Sequence, residues 1–363
     1  MTGGIEDKIY GCLLGGAIGD ALGAPFENWT YYQIRDEFGK ADTFYAFEHP
    51  HADGKPGTIT GDSVMRHYLA LAITEHDGRV TPEEFAETLL AHLNPNRVWI
   101  AEEIMIKKLA VGMSPREVGR RMIPTSSATS AIPPIGIVNA ADPRQAYRDG
   151  IDIASVLQDG INRDAAAAVA AGIARACSPN ATSCDVLETI HEHASDPLIR
   201  RIELSIRVAE ESATVDAFVE EFYSDLLDWT WPAVDWSVEK YQKGRVFSSN
   251  SLESLAAVVG ILVLHGDDPN RAIVEAASFG RDCDAIGSIV GCIVGTLYGA
   301  TVFRDSWITT CKNANTNFFR ELYGKSDVNF ETVGEQLHRG LENERHRTEM
   351  RAQELSDLLD NEV

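Results

Sequence analysis

Two carboxylates two residues apart open the last quarter of the sequence, in Gly280-Arg281-Asp282-Cys283-Asp284-Ala285-Ile286-Gly287. Paired acids of this kind can hold a hard divalent cation or divide acid and base duties between them. With 55 acidic residues among 363, about eight acid-x-acid pairs are expected from composition alone, so placement matters more than the pair. Asp282 and Asp284 stand where a helix should begin, and Gly287, Gly291, Gly295 and Gly299 then recur every fourth residue. Residues four apart share one helix face, and each internal glycine costs roughly 1 kcal/mol relative to alanine. Four of them imply close backbone packing. The N-terminus repeats the device with Gly11, Gly15, Gly19 and Gly23, and Asp20 sits between the last two. The pattern predicts two inner helices of one bundle with acids at a shared mouth. Asp20 itself reads as an acid that hydrogen-bonds backbone rather than as a catalyst.

The elements that must position these acids are helical throughout. Thr81 caps a helix with Pro82 at its first position, and Ser114 with Pro115 signals another over the following seven residues. The alanine-rich run from Asp164 to Ala176 predicts a third. No run combines period-two alternation with hairpin turns, so the fold class expected is all-α. Loops are expected at 49–59, 125–134 and 229–250, where helical periodicity lapses. One helical domain over residues 1–330 is expected. A charged amphipathic helix follows from Glu331 to about Leu359, either a solvated outer helix or a dimer contact.

Composition narrows the function classes. A net charge of -23 opposes a general affinity for nucleic acid, whose phosphates need basic partners. The uncharged stretch from Ile286 to Phe303 would be about 27 Å long as a helix. Its glycines, serine and threonines favour a buried central helix over a membrane span. Six cysteines lie scattered without CxxC pairs and read as small buried residues. The N-terminus has no signal-like apolar stretch, so a cytoplasmic protein is expected.

Three blocks, taken together, resemble the signature blocks of the ADP-ribosylglycohydrolase family: Gly11 to Glu27, then Thr60-Gly61-Asp62-Ser63, then Gly280 to Gly291. They occur in the family's order and the resemblance covers roughly residues 5 to 305. It implies an orthogonal all-α bundle and hydrolysis of a ribosyl glycosidic bond, with an ADP-ribosylated or smaller ribosyl compound as substrate. It also implies Mg or Mn, with Thr60, Asp62, Asp282 and Asp284 as the retained ligands, Asp62 as base, and Glu27 as a second acid/base or gate at the substrate. Gly61 and Ala285 stand where the family carries an aspartate and a threonine, and both lose an oxygen. One ion is therefore expected more than two, and a metal-free or catalytically silent relative that binds an ADP-ribose-like ligand is the alternative. The block Ser126 to Gly136 lies where the family often has a glycine- and asparagine-rich loop. Ser126, Ser127, Thr129 and Ser130, with Gly136, either contact a ligand there or form an ordinary loop. The aromatics Trp229, Trp231, Trp236 and Tyr241 either stack on a flat leaving group or pack. His51 and His67 have no second histidine at ligand spacing and are assigned no metal.

Overall fold

The computed structural model describes residues 4–226 and 250–360. Among them the chain is helical and no strand forms, apart from one isolated bridge between Thr30 and Gly280. The first part of the chain runs α1 (Ile5–Gly23), α2 (Tyr31–Phe38), α3 (Gly61–Glu75), α4 (Pro82–His92), α5 (Ile100–Ala110), α6 (Ser127–Ala131), α7 (Pro133–Val138) and α8 (Pro143–Leu157). The middle holds α9 (Gly160–Ala176), α10 (Ser183–His193), α11 (Asp196–Glu211) and α12 (Val215–Glu221). After the undescribed stretch come α13 (Ser251–His265), α14 (Pro269–Ala277), α15 (Cys283–Tyr298), α16 (Asp305–Ala314), α17 (Thr316–Tyr323) and α18 (Phe330–Asp360).

The two glycine-striped helices, α1 and α15, pair at the centre of the molecule in antiparallel fashion. A methyl group at Gly287 would sit 2.5 Å from the Gly19 carbonyl oxygen, and Gly11 and Gly15 meet Gly295 and Gly291 in the same way. No side chain fits between such backbones. Around this pair the alanine-rich α9 packs on α7, α8 and α10, while α13 and α14 flank α15.

Three expectations change. The segment 115–121 forms consecutive turns rather than a helix, because Gly119 donates its N–H to the Ser155 carbonyl and Arg121 turns to φ 56°. The expected loop at 125–134 instead contains α6 and the start of α7, since its small residues and Pro133 suit tight helical turns against α9. Cys184 is exposed, whereas the other five cysteines are buried. The tryptophan cluster expected at 229–236, with Tyr241, lies outside the described residues.

The stretch weighed for a membrane span ends its helix at Tyr298, where Gly299 takes φ 83°, and α15 is buried from Cys283 to Leu297. One helical stretch among the described residues, Ile5–Phe26, is long and apolar enough to cross a bilayer, and 89 % of its apolar window is buried in the protein. The C-terminal α18 packs through Phe330, Val333, Gly334, Leu337 and Gly340. Its continuation from Thr348 to Asp360 is exposed.

Candidate active site

The end of α1 and the start of α3 are joined through Asp20. Its fully buried carboxylate accepts the N–H of Thr60 at 3.1 Å and of Ser63 at 3.1 Å. These are the orphan donors of the α3 N-terminus, so an acid on another helix caps α3. Thr60 holds the N-cap position, yet its side chain makes no capping bond. Its hydroxyl is free to turn toward Asp284 and donates to Oδ2 at 3.4 Å. Asp62 follows in the first turn of α3, half-buried.

Glu27 leaves the short 3-10 turn Ala24–Phe26 that ends α1, accepts from Asn28 Nδ2 at 3.3 Å and faces His49 Nε2 at 3.8 Å. Its loop is laced to the Asp282 loop by backbone. Asn28 N–H donates to the Arg281 carbonyl at 2.8 Å, and Arg281 N–H donates to the Trp29 carbonyl at 2.6 Å. Arg281 adopts φ 61°, a left-handed conformation rare for side chains. A buried bidentate pair with Glu253, at 2.5 and 3.0 Å, anchors its guanidinium. That anchor fixes the next residue: Asp282 Oδ2 accepts from Ser126 Oγ at 2.6 Å and from Ser254 Oγ at 2.8 Å.

These pieces converge on one cleft of about 80 Å³, lined by Glu27, Thr60, Asp62, Ser126, Asp282 and Asp284. The Glu27 and Thr60 blocks thus share one wall system with a block more than 200 residues further along the chain. A larger groove of about 750 Å³ between α10, α11 and α13 holds none of these acids. Gly61 also lines the cleft, and a methyl group there would meet nothing closer than the Arg97 carbonyl at 4.0 Å. The space the missing side chain would occupy is open. Ala285, by contrast, is fully buried in α15.

Burial sets the electrostatics. It raises Glu27 to about 7, reinforced by the charge of Asp62, and raises Asp20 to about 7 for the same two reasons. Asp282 is pushed well above the carboxylate range by burial and then by Asp62, and Asp284 by burial and then by Glu27 and Asp62. Asp62 is raised by burial, against the opposing pull of the Ser130 hydroxyl and the Arg66 charge. Carboxylates gathered in a desolvated cleft retain protons or attract cations. Among the described residues, no three His, Cys, Asp or Glu side chains converge tightly enough to hold an ion as they stand. Asp284 Oδ1 is among the buried oxygens that have no hydrogen-bond partner in the described residues, as are Ser63 Oγ and Ser130 Oγ.

The serine block divides. Ser126 and Ser127 line the cleft with Thr125. Ser130 sits deeper and its carbonyl accepts Arg66 Nε at 3.0 Å, while Thr129 pairs with Ser251 at 2.8 Å. Gly136 lies in α7, where a methyl group would come 2.5 Å from the Ala170 carbonyl, and it does not line the cleft. Its spacing serves helix packing.

Sequence reasoning missed Glu102, Trp99 and His49, all of which line the cleft, as does His51. Glu102 is 5 % exposed and raised to about 7 chiefly by burial. Glu102 and Glu103 are adjacent first-turn acids of one helix, and nothing in the sequence tells which faces inward. His67 is remote from the cleft, packed between Phe318, Phe319 and Phe330.

Comparison with known proteins bears on the fold and the family. The chain is 24 % identical over 314 residues to the uncharacterized protein YegU of Escherichia coli (strain K12), covering 81 % of this chain and 88 % of that one. It is 28 % identical over 333 residues to an uncharacterized protein of Archaeoglobus fulgidus, covering 88 % and 96 %. A solved structure described as an ADP-ribosylglycohydrolase-related protein complex shares the fold, with TM-score 0.63 at 18 % identity over 93 % of this chain and 99 % of that chain. The ADP-ribosylglycohydrolase family itself matches residues 1–344. This chain belongs to the ADP-ribosylglycohydrolase family.

Proposed function

We propose that this protein is a hydrolase that cleaves a ribosyl glycosidic bond at the anomeric carbon, on an ADP-ribosyl conjugate or a smaller N- or O-riboside, with one Mg or Mn ion. The observation that carries the reading is the convergence of Glu27, Asp62, Asp282 and Asp284 on one cleft. Hard carboxylate and hydroxyl oxygens suit Mg or Mn rather than a soft metal, and Asp284 Oδ1 is an acceptor with no hydrogen-bond partner among the described residues. Thr60, Asp62, Asp282 and Asp284 would hold the ion, which supplies Lewis-acid fixation of ribose hydroxyls and of the attacking water.

The chain's own groups do the rest. Asp62, raised by burial, is a stronger base than an ordinary carboxylate and takes a proton from the water. Glu27, at about 7, exchanges a proton with the leaving group and closes the cleft from the α1 side. Asp282, fixed by Ser126 and Ser254, faces the positive charge that develops on the sugar.

The test is release of ribosyl product by purified full chain with Mg²⁺ or Mn²⁺, and its loss in variants. Asp62→Asn and Glu27→Gln should each lower kcat/KM by about 10²-fold or more. Unchanged rates in both variants would remove these roles.

The alternative, a silent relative that binds an ADP-ribose-like ligand, is favoured by Gly61 and Ala285. If turnover and metal affinity arise only in Gly61→Asp with Ala285→Thr, the natural chain is a binder.

A further inference from the structure

The loop between α2 and α3 brings His49 into the cleft beside Glu27. Its two ring nitrogens face different partners. Nδ1 accepts the backbone N–H of His51 at 3.1 Å, and a peptide N–H can only donate. Nδ1 therefore carries a lone pair, and the proton of the neutral ring sits on Nε2. Nε2 stands 3.8 Å from Glu27 Oε2, a separation of the kind that tightens to a hydrogen bond when substrate fills a cleft. The other carboxyl oxygen, Oε1, accepts from Asn28 Nδ2 at 3.3 Å. Each oxygen of Glu27 thus has a donor aimed at it, one from its own loop and one from the next. The imidazole lies edge-on to Phe47 and His51, with ring centroids 6.1 and 5.8 Å away, so its orientation is fixed as well as its tautomer.

Charge is kept off this ring. A proton on Nδ1 would meet the His51 N–H head to head, and burial followed by the His51 charge lowers His49 from its ordinary value. Glu27 and His51 face it, while Asp62, Glu102, Asp282 and Asp284 line the rest of the cleft. A neutral donor suits an acid that must hold a proton and then release it, because a carboxyl oxygen accepts a hydrogen bond in both states. A cation in its place would favour the ionised carboxylate throughout and remove the acid.

We propose that His49 is a positioning residue, a neutral imidazole locked in the Nε2–H form by the His51 backbone, whose donor turns and holds Glu27 for proton transfer to the leaving group. The inference rests on the glycohydrolase reading for the use of Glu27. In the step, the water oxygen bonds to the anomeric carbon and one water proton passes to Asp62. The glycosidic bond breaks, its electron pair goes to the leaving atom, and that atom takes the Glu27 proton. The carboxylate left behind keeps the Nε2–H donor, and no proton leaves His49.

Nuclear magnetic resonance of the full chain with isotope-labelled histidine, joined to kinetics of variants, tests this. The His49 signals, identified by their loss in His49→Gln, should show the neutral Nε2–H tautomer at pH ~7 and still at pH ~6, where a free imidazole is mostly charged. Glu27→Gln should shift the Nε2–H signal. On an ADP-ribosyl conjugate or riboside that the protein hydrolyses, His49→Leu should lower kcat about tenfold, the contribution of one hydrogen bond to a charged group, with KM little changed. His49→Gln, whose amide can donate from nearly the same place, should recover most of that loss. In the Glu27→Gln background, His49→Leu should cost less than about twofold. An Nδ1–H tautomer or an imidazolium at pH ~7, or an equal kcat loss from His49→Leu with and without the Glu27 carboxyl, overturns the inference and leaves the glycohydrolase standing. If the unmodified chain hydrolyses no such compound, the hydrolase reading falls. The hold on Glu27 then stands if Glu27→Gln moves the His49 signal and falls if it does not.

Discussion

Asp20 and His67 show how differently two buried polar residues are used. Asp20 caps a neighbouring helix through two backbone N–H groups, a role its position between Gly19 and Gly23 hinted at but could not aim. His67 is fully buried, and neither ring nitrogen has a hydrogen-bond partner among the described residues. Burial among three phenylalanines, followed by the Arg66 charge, pushes it down to about 3. The unfolded chain then binds more protons than the folded one between pH ~6.5 and that value. Stability from this residue is therefore complete above about pH 6.5 and is lost as pH falls toward 3. His67→Phe should flatten the acid side of the stability curve, by a few kcal/mol at pH ~4 relative to pH ~7. Urea unfolding of both proteins across that range checks it; parallel curves would mean that His67 is not held neutral. Arg66 explains a glycine outside the stripes, since a methyl group at Gly16 would strike its guanidinium.

At the scale of elements, the four-residue glycine spacing was fully legible because it reports a contact between two helices, not a property of either. Gly287→Ala would place a methyl 2.5 Å from the Gly19 carbonyl, and neither backbone can yield without separating α1 from α15. A loss of about 3 kcal/mol or more, or failure to fold, is expected. Gly61→Ala meets open space and should change stability by less than ~1 kcal/mol. Thermal unfolding of the two single variants distinguishes them, and similar losses in both would contradict the close pairing. The turns at 115–121 were misread because Ser114 and Pro115 are sound local start signals. The backbone there bonds across to Ser155 instead, a tertiary contact that propensity does not see.

For the whole molecule, the family match ends at residue 344, close to where α18 leaves the body. Glu344 still accepts the Arg79 N–H at 2.9 Å, while Leu355, Leu358 and Leu359 are more than half exposed. A chain ending after Glu344 should keep its unfolding free energy within ~1 kcal/mol of the full chain, because exposed charged pairs contribute little. Loss of more than about 2 kcal/mol in urea unfolding would show that the extension covers something in solution. Equilibrium sedimentation of the same two chains would report whether that something is a second copy.

The sequence by itself determined the helical class, the glycine-paired inner helices and the three blocks carrying Glu27, Asp62, Asp282 and Asp284. Helical period, steric demand and motif order are local properties, readable residue by residue. Only the tertiary structure decided that Asp20 caps α3 and that Arg281 locks Asp282 through Glu253. It also decided that Glu102 rather than Glu103 faces the cleft, and that Gly136 packs against α9. Each of those depends on which face of a helix meets a partner far away in the chain, and burial of a charge is a property of the assembled core. The fold class follows from pattern, whereas the charge and reach of the cleft follow from packing.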